Sequence, residues 1–317
     1  MKHNLRITIL ILAMFILAQF IGIFVISTDP FTIHQTVNNT VQNVTNPYLT
    51  WINPPPAQTQ GDFNSYFSSL IIAFVIAILL LFFLMKFKGS VLLKIWFLAV
   101  ITIALLLSFT AFEKLLNWNL NPGIVFVFTL IFSFFLAMIK VYRRNFFVHN
   151  ITELLIYPGI ASVFVPILNI YTVIGLLIII SIYDIWAVWH SGIMQKMAKY
   201  QINHLKIFSG FFVPYMSKKV HSQIKSWKKK LSKSQLRKKK IKVNVAILGG
   251  GDVVFPIITA GVMLKTLGLE SAIFVVIGAT LGLSYLFFVA EKKKFYPAMP
   301  FITAGILAAI LASYILL

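Results

Sequence analysis

Leu248-Gly249-Gly250-Gly251-Asp252-Val253-Val254-Phe255-Pro256 sits inside an apolar segment that runs from about Val243 to Leu264. An aspartate at the centre of a membrane-type helix costs roughly 2.5–3.5 kcal/mol on insertion scales, so Asp252 needs either compensation or a use. A second apolar segment carries Ile180-Ser181-Ile182-Tyr183-Asp184-Ile185-Trp186. The two segments are consecutive spans and therefore run antiparallel. Asp252 lies ten residues beyond Lys242, about 15 Å along a helix. Asp184 lies six residues before His190 and twelve before Lys196, about 9–18 Å from the same boundary. These matched depths allow the two carboxyls to converge on one point.

The rest of the chain agrees with a membrane setting. Of its 317 residues 59% are hydrophobic and 11% charged, and mean hydropathy is +0.88. A soluble domain is about 25% charged. There is no cysteine, which excludes disulfides, thiolate nucleophiles and thiolate metal sites. The first apolar stretch lacks a small-residue cleavage site and reads as a retained helix rather than a signal peptide.

Nine segments reach the roughly 17–25 residues that a span requires. They are Ile7–Ser27 and, approximately, Phe67–Met85, Leu92–Phe112, Pro122–Ile139, Phe146–Val165, Leu168–His190, Val243–Leu264, Ala272–Ala290 and Tyr296–Leu317. Pro158-Gly159 interrupts the fifth. The expected fold is thus all-α, with a six-helix block (1–190), a basic loop (191–242) and a three-helix block (243–317). The polar connection from Thr28 to about Ser65 holds Asn38-Asn39-Thr40 and Asn43-Val44-Thr45 and reads as soluble and irregular.

Charge sets the orientation. With the N-terminus inside, the inner segments hold 26 of the 28 Lys and Arg residues, and the outer ones only Lys114 and Lys265. The positive-inside rule then places the N-terminus in the cytoplasm and the C-terminus outside, in a multi-pass protein of the cell membrane. The net charge of +20 is accounted for as inner-surface charge, without nucleic acid. The long basic loop, with Lys228-Lys229-Lys230 and Arg237-Lys238-Lys239-Lys240, is expected to lie against anionic lipid. Apolar residues spaced from Ile193 to Phe212 partly follow a helical period and suggest an extension of the sixth helix along the interface.

Of eight acidic residues, only Asp184 and Asp252 lie well inside apolar segments. Two carboxylates in close contact cannot both ionise, so such a pair shares a proton. The ionised member can take a proton from water while the protonated one polarises a peptide carbonyl, which is general acid–base hydrolysis. Gly249, Gly250 and Gly251 work against helix at this point and allow another backbone to come close. An exposed strand edge there would hold an unwound substrate peptide by β-augmentation. Intramembrane aspartates also serve as ion or proton relays in transporters. From these residues alone, protease and transporter stand level.

Other candidates are weaker. His149 and Glu153 are one helical turn apart, with no third ligand in sequence; they read as an interfacial pair, and no metal site is expected. Glu153 is within reach of the basic cluster around Lys140–Arg144. His190 points away from Asp184 on a helical wheel. Trp186 and Trp189 read as interfacial anchors. There is no His-Glu-x-x-His and no Gly-x-Ser-x-Gly, which removes zinc and serine-elbow chemistries.

Three motifs in order resemble the presenilin and signal peptide peptidase family of intramembrane aspartyl proteases. Tyr183-Asp184 is similar to its YD motif on the sixth helix, Gly249-Gly250-Gly251-Asp252 to its GxGD motif on the seventh, and Pro297-Ala298-Met299 to its PAL motif at the ninth. The span count and the long loop between helices six and seven match as well, so the resemblance covers essentially the whole chain. It implies that Asp184 and Asp252 are catalytic and that the Pro297-Ala298-Met299 segment supports the site and the substrate; with water as nucleophile, no metal or other cofactor is expected. Met299 stands where the family has Leu, a volume-conserving change. The N-in orientation resembles presenilins. Compactness and the lack of cysteine point to a prokaryotic, archaeal member. The expected substrates are transmembrane helical proteins, with an inactive homologue that binds membrane helices as a third reading. The sequence carries no signal of oligomeric state.

Overall fold

The computed structural model describes residues 5–37, 40–86, 90–116, 121–143, 145–190, 209–215, 244–291 and 296–317. Nine helices occur among them: α1 (Leu5–Thr28), α2 (Gln60–Lys86), α3 (Ser90–Leu116), α4 (Pro122–Tyr142), α5 (Phe146–Phe164), α6 (Ile170–Ile185), α7 (Gly251–Leu267), α8 (Leu269–Val289) and α9 (Met299–Leu316). Two antiparallel strand pairs accompany them, the hairpin of β1 (Thr32–Val37) with β2 (Thr40–Thr45), and β3 (Gly210–Tyr215) with β4 (Asn244–Gly249). Eight helices are long and apolar enough to cross a membrane. The residues of the tri-lysine and Arg237–Lys240 clusters, and those from Ile193 to Phe208, lie outside the described residues.

Local sequence explains the helix boundaries. Asn121 accepts the Gly123 N–H at 2.9 Å and Pro122 opens α4. Asn145 accepts the Phe147 N–H at 3.0 Å to start α5. Asn169 and Thr172 form a reciprocal capping box at α6, which satisfies two donors the first turn leaves free. Gly268, at φ 95°, closes α7 and opens α8 in a conformation that disfavours any side chain.

The central element is α7. It packs against α1, α5, α6, α8 and α9, and nearly every residue from Val253 to Met263 is buried. A helix that is apolar all round belongs inside a bundle. Around it, α8 and α9 approach so closely that a Cβ on Gly278, Gly282 or Gly305 would collide with the facing backbone. By contrast α2 is peripheral, and none of its apolar window is buried.

Three expectations are corrected. The span predicted from Val243 to Leu264 is not one helix: Asn244–Gly249 is a strand, and α7 begins only at Gly251. The glycine triplet ends helical structure rather than merely loosening it, and the preceding run Val245-Ala246-Ile247-Leu248 pairs with β3. α7 is consequently 17 residues long and is not among the eight apolar spans. The end of the stretch read as partly helical, Gly210–Phe212, is also strand. Finally, the connection after α1 is irregular only in part; Thr32–Thr45 folds into a hairpin whose register opposes Val37 to Thr40, and residues 46–59 hold no helix or strand.

Candidate active site

Asp184 stands at the last turn of α6, directly before a π-helical turn at Trp186–His190. Such bulges recur at functional sites. Its carboxyl is buried, and Oδ2 accepts the backbone N–H of Met299 at 3.0 Å. Met299 is the first residue of α9, where backbone N–H groups have no partner within the helix. One turn away, the Ser181 hydroxyl donates to Thr303 Oγ1 at 2.8 Å. These two bonds hold α6 and α9 in antiparallel register beside the carboxyl.

Asp252 lies in the first turn of α7 rather than at mid-helix, and it is only half-buried. The Gly250 carbonyl starts the helix by accepting the N–H groups of Val253 (3.1 Å) and Val254 (2.9 Å). The Gly249 N–H is directed at the Asp252 carboxyl, and the Asp184 carboxyl is near enough to interact with it electrostatically. α6 and α7 pack directly against each other. The structure therefore brings together the two aspartates singled out in the sequence.

The glycines have separate jobs. A Cβ on Gly249 would sit 3.2 Å from Asp252 Oδ2. One on Gly250 would meet Ser209 Oγ at 2.8 Å and the Tyr157 ring at 3.1 Å. One on Gly251 would make only ordinary contact, 3.5 Å from Phe255. Pro297 is buried, Ala298 caps α9, and Met299 is buried while its N–H reaches Asp184. Tyr183 is half-buried, with its ring edge-on to Phe74 of α2 at 5.7 Å and 6.4 Å from Trp186.

Behind the site lies a buried polar cluster between α4, which carries Lys140, and α5, which carries His149 and Glu153. Lys140 Nζ is 2.6 Å from Glu153 Oε1, and both side chains are almost wholly inaccessible. His149 is 3.5 Å from the same oxygen. Among the described residues no three His, Cys, Asp or Glu side chains gather to hold a metal ion.

Sequence reading missed Gln19 of α1, fully buried, which donates to the Val253 carbonyl at 3.2 Å next to Asp252. It also missed Asn150, Tyr157, and the Ser181–Thr303 pair. All but Tyr157 are small polar groups inside apolar spans, a signal that was present in the sequence.

A family model described as signal-peptide peptidase, presenilin aspartyl protease matches residues 54–317. The chain belongs to this family. It is by that membership an aspartic endopeptidase of the membrane-embedded kind. No curated protein sequence matches the chain significantly. Among solved structures, a presenilin family intramembrane aspartate protease in a C222 crystal form is 14% identical, with 98% of this chain and 99% of that chain covered and a TM-score of 0.57. A presenilin family intramembrane aspartate protease in a P2 form is 16% identical over 97% of each chain, with a TM-score of 0.55. At these identities the likeness is one of fold, and it extends through the whole of this protease.

Proposed function

We propose that the protease hydrolyses peptide bonds within transmembrane segments of other membrane proteins, with Asp184 and Asp252 as the catalytic pair. The observation that supports this most directly is that the two carboxyls lie near enough to interact electrostatically across α6 and α7, one held by the start of α9 and the other at the start of α7. In the reaction, one carboxylate takes a proton from water as its oxygen attacks the scissile carbonyl carbon. The other carboxyl gives its proton to the carbonyl oxygen. The resulting gem-diol collapses, the C–N bond breaks, and the departing amine takes back a proton. The two roles belong to the coupled pair rather than to either residue.

A transmembrane helix must unwind before its peptide bonds can be reached. β4 leads directly into Gly249–Asp252, and its outer edge pairs with no strand among the described residues. A substrate segment added to that edge is extended and adjacent to the dyad, with main-chain hydrogen bonds supplying affinity independent of sequence. The distribution of Lys and Arg supports a cytoplasmic N-terminus and an outer C-terminus.

The test is purified protease in liposomes with a tagged single-span substrate, products read by mass spectrometry, beside Asp184→Ala and Asp252→Ala. Cleavage lost by at least about a hundredfold in both, with substrate capture kept, is the expected result. Cleavage that survives either substitution overturns the pair. Proton-coupled flux without cleavage would favour the transporter instead.

A further inference from the structure

β3 is held on both sides, but by different means. Its partner β4 pairs Phe211 with Leu248 and Val213 with Ala246. Phe211, Val213, Ala246 and Leu248 are all buried and share one face. The opposite edge of β3 meets no strand among the described residues, and side chains of α5 take the place of one. Asn150, itself buried, donates from Nδ2 to the Phe212 carbonyl at 3.0 Å and accepts the Phe212 N–H at Oδ1 at 3.2 Å. The carboxamide thus repeats the donor–acceptor pair that a neighbouring strand would offer. Two residues earlier, Glu153 Oε1 accepts the Gly210 N–H at 3.3 Å. His149 Nε2 lies 2.8 Å from the Gly210 carbonyl, which requires that nitrogen to carry the proton.

Backbone groups of a strand alternate in direction. If Gly210 and Phe212 face α5, the next residue to face that way is Pro214, which has no N–H to offer. The outer edge of β3 is therefore closed along its length. By the same alternation, Val245 and Ile247 turn their backbone groups to the free side of β4, as does Gly249, whose N–H is directed at the Asp252 carboxyl.

We propose that Asn150, with Glu153 and His149, is a positioning device that pre-orders the β3–β4 sheet so that β4 presents one ready-made edge to substrate beside Asp252. This rests on the protease reading given above. The cluster touches neither substrate nor the reacting atoms, and it acts through β3. Without it, the sheet must be ordered at the moment of binding, and that penalty falls on substrate affinity rather than on the chemical step.

The experiment compares wild type, Asn150→Ala and Asn150→Asp in liposomes. Asn150→Asp keeps an acceptor for the Phe212 N–H but loses the donor to the Phe212 carbonyl. Hydrogen exchange by mass spectrometry follows residues 210–215 and 244–249, and helix content and thermal unfolding check the fold. The expected result for Asn150→Ala is lost protection in both strands, a KM raised about tenfold and a kcat within about twofold, with Asn150→Asp intermediate. Unchanged protection overturns the device. So does lost protection with unchanged KM, or a kcat that falls while KM stays. If wild type cleaves nothing, the protease reading fails, and the exchange data alone decide whether Asn150 orders the sheet.

Discussion

The backbone N–H of Met299, the first residue of α9, donates to Oδ2 of Asp184 at 3.0 Å. The contact belongs to the main chain, so the side chain at 299 matters only for how it fills its buried place. Met299→Leu keeps both volume and N–H, and swaps of this kind cost under about 1.5 kcal/mol. Its kcat/KM is expected within about threefold of wild type, a change of less than about 1 kcal/mol in transition-state stabilisation. A loss beyond tenfold in a cleavage assay would mean that the sulfur or its flexibility contributes directly.

The three glycines before Asp252 should separate by phenotype. Gly249→Ala places a methyl 3.2 Å from the Asp252 carboxyl. It is expected to lower kcat by at least about tenfold with little change in unfolding, because small misplacements of a reacting group are costly in rate. Gly250→Ala presses on the fully buried Tyr157 ring and should destabilise by about 1–3 kcal/mol. Gly251→Ala meets nothing tight and should be nearly neutral in both. Unfolding midpoints and single-turnover rates on the three variants, measured together, check the ordering.

Lys140 and Glu153 form a 2.6 Å pair with almost no access to solvent. Removing one partner leaves a buried charge alone, which typically costs about 3–5 kcal/mol. Lys140→Met and Glu153→Gln should each lower stability by about that much, and the double variant should recover most of the loss. A double-mutant cycle in detergent unfolding gives the answer. Additive losses would show that the charges do not act as a pair.

Gly278 and Gly305 stand where α8 and α9 touch backbone to backbone. A methyl on Gly305 would meet a carbonyl rather than a flexible side chain, so the helices must part. Gly305→Ala is expected to destabilise by about 1–3 kcal/mol and to lower activity, because α9 carries the donor to Asp184. Thermal unfolding alongside cleavage rates distinguishes the two effects; unchanged values in both would mean the helices can separate freely.

Much of this architecture is readable in the chain, and the misreadings have physical causes. Asn121, Asn145 and Asn169 announce helix starts, and Asp184 and Asp252 stand out because charge inside apolar sequence is rare. β4 stayed hidden because Val245, Ala246, Ile247 and Leu248 are all apolar. Its inward and outward residues differ in burial but not in hydropathy, so no period of two can be seen. The same holds for Phe211, Phe212 and Val213 in β3. For β1 and β2 the alternating Thr, Val and Gln residues were a strand signal, overlooked because the loop was so polar. Asn150 and Gln19 were visible as isolated polar residues, but their partners are backbone groups distant in sequence, Phe212 and Val253.

A hydrophobic sheet with two open edges can recruit copies of itself without limit. Here Pro214 and the α5 side chains close one side, which leaves the β4 edge for pairing between molecules among the described residues. Two copies meeting there would do so about a twofold axis and leave nothing further to join, so any self-association through the sheet would stop at a dimer. On the proposed reading of that edge, each such dimer would withhold two sites from substrate, and crowding in the membrane would act as a competitor.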